Sequence, residues 1–110
     1  MAEDILSKIK DPKLRDDLNI YRESGNGFAL IDILEHFNIR FRVDAFEAIL
    51  PKFEVNGNKI HLGGFIINST LYGVYLEVSE QKLTIRIGVE YYVLISRENK
   101  PKNGDKSAKR

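Results

Sequence analysis

The sequence predicts an α+β domain in which three or four N-terminal helices pack on an antiparallel meander of three or four strands. Between residues 3 and 50 the apolar residues recur every third or fourth position, which is helical spacing. Between residues 53 and 96 they alternate every second position, which is strand spacing. Because the chain has 110 residues, we predict one domain over residues 1–98 and a flexible basic tail over residues 99–110.

The helical half is predicted to contain short helices over residues 3–10, 12–24, 28–37 and 42–50. Asp11 can cap the second helix, and Pro12 suits its first turn because the missing N–H would have no helical partner there. The two glycines within residues 24–27 favour a helix end. Pro51 cannot continue the fourth helix, so that helix is expected to end at Leu50.

The strand half begins with a hairpin signal over residues 53–62, where two alternating runs flank Asn56-Gly57. Gly63-Gly64 then predicts a bulge or a bend. The strictest alternation spans residues 83–95, which is longer than the usual strand of about 3–10 residues. We therefore expect this run either to bend at Gly88 or to pair outside the domain at its far end.

The order of helix, helix, turn, helix and hairpin over residues 11–67 resembles a winged helix-turn-helix. Residues 33–39 resemble its first helix and turn, residues 43–50 the recognition helix, and residues 53–62 the wing. The resemblance implies contact with nucleic acid through Arg40, Arg42, Lys52 and Lys59. Asp44 and Glu47 would lie on the same recognition helix, however, and acidic side chains repel phosphates.

Charge is distributed unevenly along the chain. Residues 97–110 contain six basic and two acidic residues, so this segment carries +4 and the rest of the chain −3. Basic termini are typical of nucleic-acid-binding proteins, although they also serve simply as solubilising ends. The tail residues predicted to contact phosphates are Lys100, Lys102, Lys106, Lys109 and Arg110.

Three apolar residues on the polar faces of the predicted strands are candidates for a protein interface. They are Tyr75, Tyr92 and Leu94. Exposed aromatic residues on a sheet are typical of interfaces, although burial under an N-terminal helix would explain them equally. The end of the last strand, residues 91–95, also lacks proline and lysine. It could therefore pair with a second copy of the chain and form a homodimer.

Several chemical classes are disfavoured. The chain has no cysteine, so disulfides and thiolate zinc sites are excluded. No apolar run reaches the length of a membrane span of about 18 residues, and neither a Walker loop nor a nucleophile elbow occurs. Asp32, His36 and His61 could together supply metal ligands, but ordinary surface histidines are the simpler interpretation. We expect no cofactor and no metal.

The sequence therefore predicts a small non-enzymatic interaction protein, such as an accessory subunit or a viral or regulatory modulator. Its partner would bind the sheet surface. The alternative is a winged-helix-like protein that contacts nucleic acid weakly and without sequence preference. The acidic start of the chain lacks the basic and apolar regions of a signal peptide, so a cytoplasmic location is expected. A charged fraction of 30% with a single glutamine is typical of thermophile proteins.

Overall fold

The computed structural model describes residues 4–89 and 92–98, with the backbone alone described in residues 92–96. The helices are α1 (Pro12–Ser24) and α2 (Phe28–Glu35), with short 3₁₀ helices at Ile5–Lys8 and Val43–Ala45. The strands are β1 (Ala48–Asn56), β2 (Lys59–Ile67), β3 (Thr70–Val78), β4 (Leu83–Val89) and β5 (Tyr92–Glu98). They form one antiparallel sheet in the order β1-β2-β3-β4-β5, so each strand pairs with the next along the chain.

The prediction of three or four helices on three or four strands is wrong. Residues 42–50, predicted as a helix and as the recognition helix of a winged-helix motif, form one 3₁₀ turn and then enter β1. Pairing explains the difference, because Ala48 lies opposite Ile66 and the ladder with β2 takes up the backbone groups that a helix would use internally. Val43, an apolar residue of this segment, is 57% exposed. The winged-helix resemblance therefore fails at its recognition helix.

Helix α1 follows its local sequence closely. Asp11 accepts hydrogen bonds from the backbone N–H groups of Lys13 and Leu14, at 3.0 and 3.4 Å, and Pro12 occupies the first helical position. Gly25 ends the helix in the left-handed region, with φ 66°. Both caps were predicted from the sequence and are confirmed, because they depend on residues adjacent in the chain.

Turn chemistry sets the register of the first two hairpins. In the β1–β2 hairpin only the first loop residue, Gly57, has a positive φ, 65°, as in a type II′ turn. In the β2–β3 hairpin both loop residues, Asn68 and Ser69, have positive φ, 51° and 62°, as in a type I′ turn. These turns match the twist of the flanking strands, so the ladder begins directly beside each loop.

The long alternating run of residues 83–95 is not one strand. It is divided into β4 and β5, which pair antiparallel with Val89 opposite Tyr92. The run therefore reverses direction instead of continuing as one long strand, and residues 92–95 lie beside β4 within the domain. The register of this pair shifts between Ile87 and Gly88. Two strands were mistaken for one because a hairpin can preserve the alternation of apolar residues through its turn. Within the described strands, β1 and β5 are the two edges of the sheet.

One face of the sheet packs against the helices and forms the core. Buried residues of the sheet come from β2, β3 and β4, and those of the helices from one side of α1 and α2. The sheet residues are Ile60, Leu62, Phe65, Val74, Leu76, Val78, Leu83, Ile85 and Ile87. The helix residues are Leu14, Leu18, Tyr21, Leu30, Ile31, Ile33 and Leu34. Neither α-helix has the length and apolar character needed to span a bilayer.

A bulge between β1 and β2 is bridged by a helix side chain. Two residues of β1, Lys52 and Phe53, stand opposite one residue of β2, Leu62. The buried hydroxyl of Tyr21 on α1 donates a hydrogen bond to the carbonyl oxygen of Leu62 and accepts one from the N–H of Lys52 at 3.1 Å. Tyr21 thus links α1 to both strands where their ladder is interrupted.

Candidate functional site

The face of the sheet opposite the helices carries a groove of about 1090 Å³, here called the outer groove. It crosses β1 to β4, and its lining includes Leu50, Lys52, Lys59, His61, Gly64, Leu71, Gly73, Tyr75, Glu77, Arg86 and Gly88. The register of strands β2, β3 and β4 determines which residues line the groove. Ile60, Leu76 and Ile85 pair in the buried face, so the next residues, His61, Tyr75 and Arg86, form a row on the opposite face.

The centre of the groove has a floor of main chain. Gly64 pairs with Gly73, and Gly73 pairs with Gly88, so three adjacent strands lack a side chain in the same row. A Cβ atom at Gly73 would lie 3.2 Å from Cε1 of Tyr75, so the tyrosine ring lies over this glycine. The missing side chains make the sheet surface concave here, and the ring of Tyr75 occupies part of the space above Gly73.

Beside this floor, His61 and Tyr75 stack face to face. Their ring centroids are 4.4 Å apart and their planes differ by 10°. Tyr75 remains 41% exposed, so its ring is available for contact. Burial lowers the pKa of His61, and the positive charge of Lys52 lowers it further. The histidine is therefore disfavoured as a cation, and Lys52 contributes a positive field at this end of the groove.

Charged side chains surround the stacked pair. Arg86 donates from Nη2 to Oε1 of Glu77 at 3.1 Å, and Nζ of Lys59 lies 3.7 Å from the other oxygen of the same carboxylate. Lys52 pairs with Glu54 on β1 at 3.2 Å. The Nε–H of Arg86 is buried and has no acceptor among the described atoms. Glu77 thus pairs with two cations, and Arg86 has N–H groups that take part in no described hydrogen bond.

Apolar side chains line the opposite end of the groove. Leu50 on β1 is 45% exposed and Leu71 on β3 is 55% exposed. Together with Tyr75 they are three of the large apolar residues that the described surface exposes. Their position in one groove distinguishes them from isolated exposed apolar residues, which are common on any protein.

The structure brings together only part of the predicted sites. Tyr75 lies in the outer groove, whereas the side chains of Tyr92 and Leu94 lie outside the described part of the molecule. Of the predicted basic set, Lys52 and Lys59 line the groove. Arg40 and Arg42 do not, since they lie between α2 and β1. Lys100, Lys102, Lys106, Lys109 and Arg110, with the rest of the predicted tail, lie outside the described residues.

Asp32, His36 and His61, the residues considered as possible metal ligands, are not brought together as a metal site. His36 on the C-terminal side of α2 has Nε2 2.7 Å from Oδ2 of Asp17 on α1, so it joins the two helices. Within residues 4–89 and 92–98 no group of three acidic or histidine side chains could hold a metal ion. Asp32, His36 and His61 therefore form no metal site.

Sequence reasoning missed Leu50, Leu71, Glu77 and Arg86 as residues of the site. The signal that could have identified them is register. The turn at residues 68–69 fixes the β2–β3 pairing, and counting outward from it places Gly64 opposite Gly73 and His61 close to Tyr75. The bulge in β2 between His61 and Gly64 adds one residue to this count, and only the structure shows it.

Comparison with protein-family models, with curated proteins and with solved structures finds no match to this chain. Any function of this protein must therefore be inferred from the geometry of the outer groove.

Proposed function

We propose that this protein is a small non-enzymatic interaction protein, an accessory or regulatory subunit that binds a protein partner in the outer groove. The observation that carries the proposal is the concave sheet face, on which Leu50, Leu71 and Tyr75 expose apolar surface beside a main-chain floor. Exposed apolar surface collected in one concavity and bordered by charged residues is typical of protein-binding sites.

The ion pairs favour a protein partner over nucleic acid. Arg42 pairs with Asp44 at 3.0 Å, Lys52 with Glu54 and Lys59 with Glu77, so three of the four described candidates for phosphate contact have acidic neighbours. An acidic neighbour weakens the attraction of a cation for the phosphate backbone. The phosphate backbone offers no apolar group to the leucine end of the groove.

Site-specific crosslinking tests the proposal. Benzophenylalanine placed at Leu71 is expected to capture a specific protein in an extract of the native host, whereas the same group at Phe28 on α2 should not. The captured protein is then purified and its binding to the unmodified chain is measured. Leu71→Lys should abolish that binding, while Ile20→Lys on α1 should not, because both positions are 55% exposed and only Leu71 lines the groove.

Two results would reject this function. One is capture of the same protein from Leu71 and Phe28 alike. The other is a purified partner whose affinity does not change with Leu71→Lys.

Self-association through β5 is a second candidate, favoured by a contrast between the two edge strands. The β1 edge contains Pro51, Lys52 and a bulge, which are common devices against edge pairing. The β5 edge has neither proline nor lysine between Tyr92 and Glu98. We propose that two copies pair antiparallel along β5 to form a twofold dimer. Light scattering should then show a dimer that Leu94→Lys weakens, and a strict monomer at high concentration would rule this out.

A further inference from the structure

We infer that the outer groove selects an extended protein segment that is apolar at one end and carries a carboxylate at the other. This inference rests on the proposed function, in which the groove is the docking surface, and it adds the chemistry of the partner. Three properties of the groove support it: its length, its polarity and its excess of cations over anions.

The length of the groove follows from the spacing of its lining residues along β3. Leu71, Gly73, Tyr75 and Glu77 occupy successive positions on the outer face of this strand, because their neighbours Val74 and Leu76 are buried. Leu71 and Glu77 are six positions apart along the strand. At about 3.3 Å per residue the groove is therefore about 20 Å long, enough for roughly six residues of an extended segment.

The groove changes character along this length. Leu71 is exposed at one end, with Leu50 beside the glycine floor. At the other end lie Lys59 and Arg86, with Lys52 on the β1 side. A segment that is apolar throughout would displace water from these cations and offer them no acceptor of its own. A segment that is charged throughout would bring charged side chains into contact with Leu50 and Leu71, which is unfavourable.

The balance of charge favours an acidic group on the segment. Lys52, Lys59 and Arg86 line the groove and Glu77 is the acidic residue that lines it, so the lining carries a formal +2. The rest of residues 1–98 must then be strongly negative, since these residues together carry −3 when the tail from residue 99 contributes +4. A negative segment would be attracted to the groove in preference to the rest of residues 1–98.

The existing ion pairs do not block this role. The lysine side chains of the Lys52–Glu54 and Lys59–Glu77 pairs are 51% and 56% exposed, and exposed pairs contribute little to stability. Either lysine can therefore turn to a carboxylate on a bound segment at small cost. Arg86 also retains donors, because its one described bond uses Nη2. The carboxylate of Glu77, which lies between Lys59 and Arg86, repels other negative charges. This repulsion disfavours a polyanion such as nucleic acid more than a segment with one or two carboxylates.

Two matched hexapeptides provide the test. One carries two leucines at one end and two glutamates at the other, and is made in both sequence orders. The second replaces the glutamates with glutamines. Both are acetylated and amidated, so that their ends add no charge. Binding to the full chain is measured by NMR titration, following the resonances of His61 and Tyr75, at low and at moderate salt.

The acidic peptide, in one of its two orders, should shift these resonances and bind about tenfold more tightly than the glutamine peptide, a difference of about 1.4 kcal/mol. The double variant Lys52→Gln/Lys59→Gln should remove this difference by weakening the binding of the acidic peptide. Lys82→Gln is the matched control, because Lys82 is 58% exposed, pairs with Glu98 at 3.2 Å and does not line the groove. The advantage of the acidic peptide should also shrink as salt rises.

Three outcomes would overturn the inference. Equal binding of the two peptides would remove the preference for a carboxylate while leaving the groove as a docking surface. Shifts at neither His61 nor Tyr75 would reject the chemistry proposed for the segment, and crosslinking from Leu71 would still decide the proposed function separately. Tighter binding of a single-stranded oligonucleotide than of the acidic peptide, at the same two resonances and in the same salt, would identify a polyanion site instead.

Discussion

Replacing Tyr21 with phenylalanine tests how the helices are joined to the sheet. The ring of Tyr21 is buried in the core, and its hydroxyl bridges Leu62 and Lys52 at the β1–β2 bulge. Tyr21→Phe keeps the ring and its packing, so the change in the free energy of unfolding isolates the hydroxyl. The variant leaves the carbonyl oxygen of Leu62 and the N–H of Lys52 without this partner.

The expected magnitude follows from the burial of those two groups. The bond to Leu62 is buried and the bond from Lys52 is partly buried, so water can only partly replace the hydroxyl. Leaving a buried backbone group unsatisfied costs about 1–3 kcal/mol. We expect Tyr21→Phe to lower the free energy of unfolding by about 1–3 kcal/mol, and the melting temperature by at least about 4 °C.

Urea denaturation followed by circular dichroism measures this change, with the slope of the transition checked for constancy. Tyr75→Phe is the matched control, because Tyr75 is 41% exposed on the outer face and its hydroxyl is not part of the core. That variant should lose less than about 0.5 kcal/mol. A loss below about 0.5 kcal/mol for Tyr21→Phe would refute the view that its hydroxyl stabilises the bulge.

The same residue predicts a dependence on alkaline pH. Burial raises the pKa of Tyr21 above its ordinary value of 10.0, while the hydrogen bond from Lys52 opposes that shift. Above pH 10.0 the unfolded chain therefore loses this proton more readily than the folded chain does. The stabilisation is fully present below pH 10.0 and is lost as the pH rises through the higher pKa of the folded state. Stability measured from pH 9 to 11 should fall less steeply for Tyr21→Phe than for the unmodified protein.

Four further substitutions test the backbone, the core and a helix cap. Gly63→Ala should destabilise by about 2 kcal/mol or more, because φ is 88° and the new Cβ would collide with the carbonyl oxygen of Leu50. Gly57→Ala, at φ 65° with open space around it, should cost only about 1 kcal/mol, and equal losses in urea denaturation would contradict this reasoning. Leu34→Ala should cost about 2–5 kcal/mol because Leu34 is 1% exposed, and a cost under about 0.5 kcal/mol would show that it is not in the core. Asp11→Ala should cost about 1 kcal/mol and lower the helical signal in circular dichroism, and an unchanged signal with unchanged stability would show that the cap contributes nothing.

Part of the outer groove was predictable from the sequence. Tyr75 was identified because it alternates with Val74 and Leu76, and alternation identifies the two faces of a strand. Arg86 and Glu77 also lie on polar positions of their strands, but alternation does not say which strands are neighbours. Their ion pair depends on the β3–β4 register, where Glu77 lies opposite Thr84 and Tyr75 opposite Arg86. Periodicity carries no information about that register.

Local features of the fold, which depend on residues close together in the chain, follow from the sequence alone. These include the change of period near residue 50, the caps of α1 and the β1–β2 hairpin around Gly57. The remaining features, which are strand identity, strand pairing and the groove, depend on contacts between segments that are distant in the chain. Residues 48–50 became a strand because β2 supplies their hydrogen-bond partners, although their apolar spacing suits a helix equally well. β4 and β5 are separate strands because pairing with each other satisfies their backbone groups. The groove exists because glycines from three separate strands meet in one row.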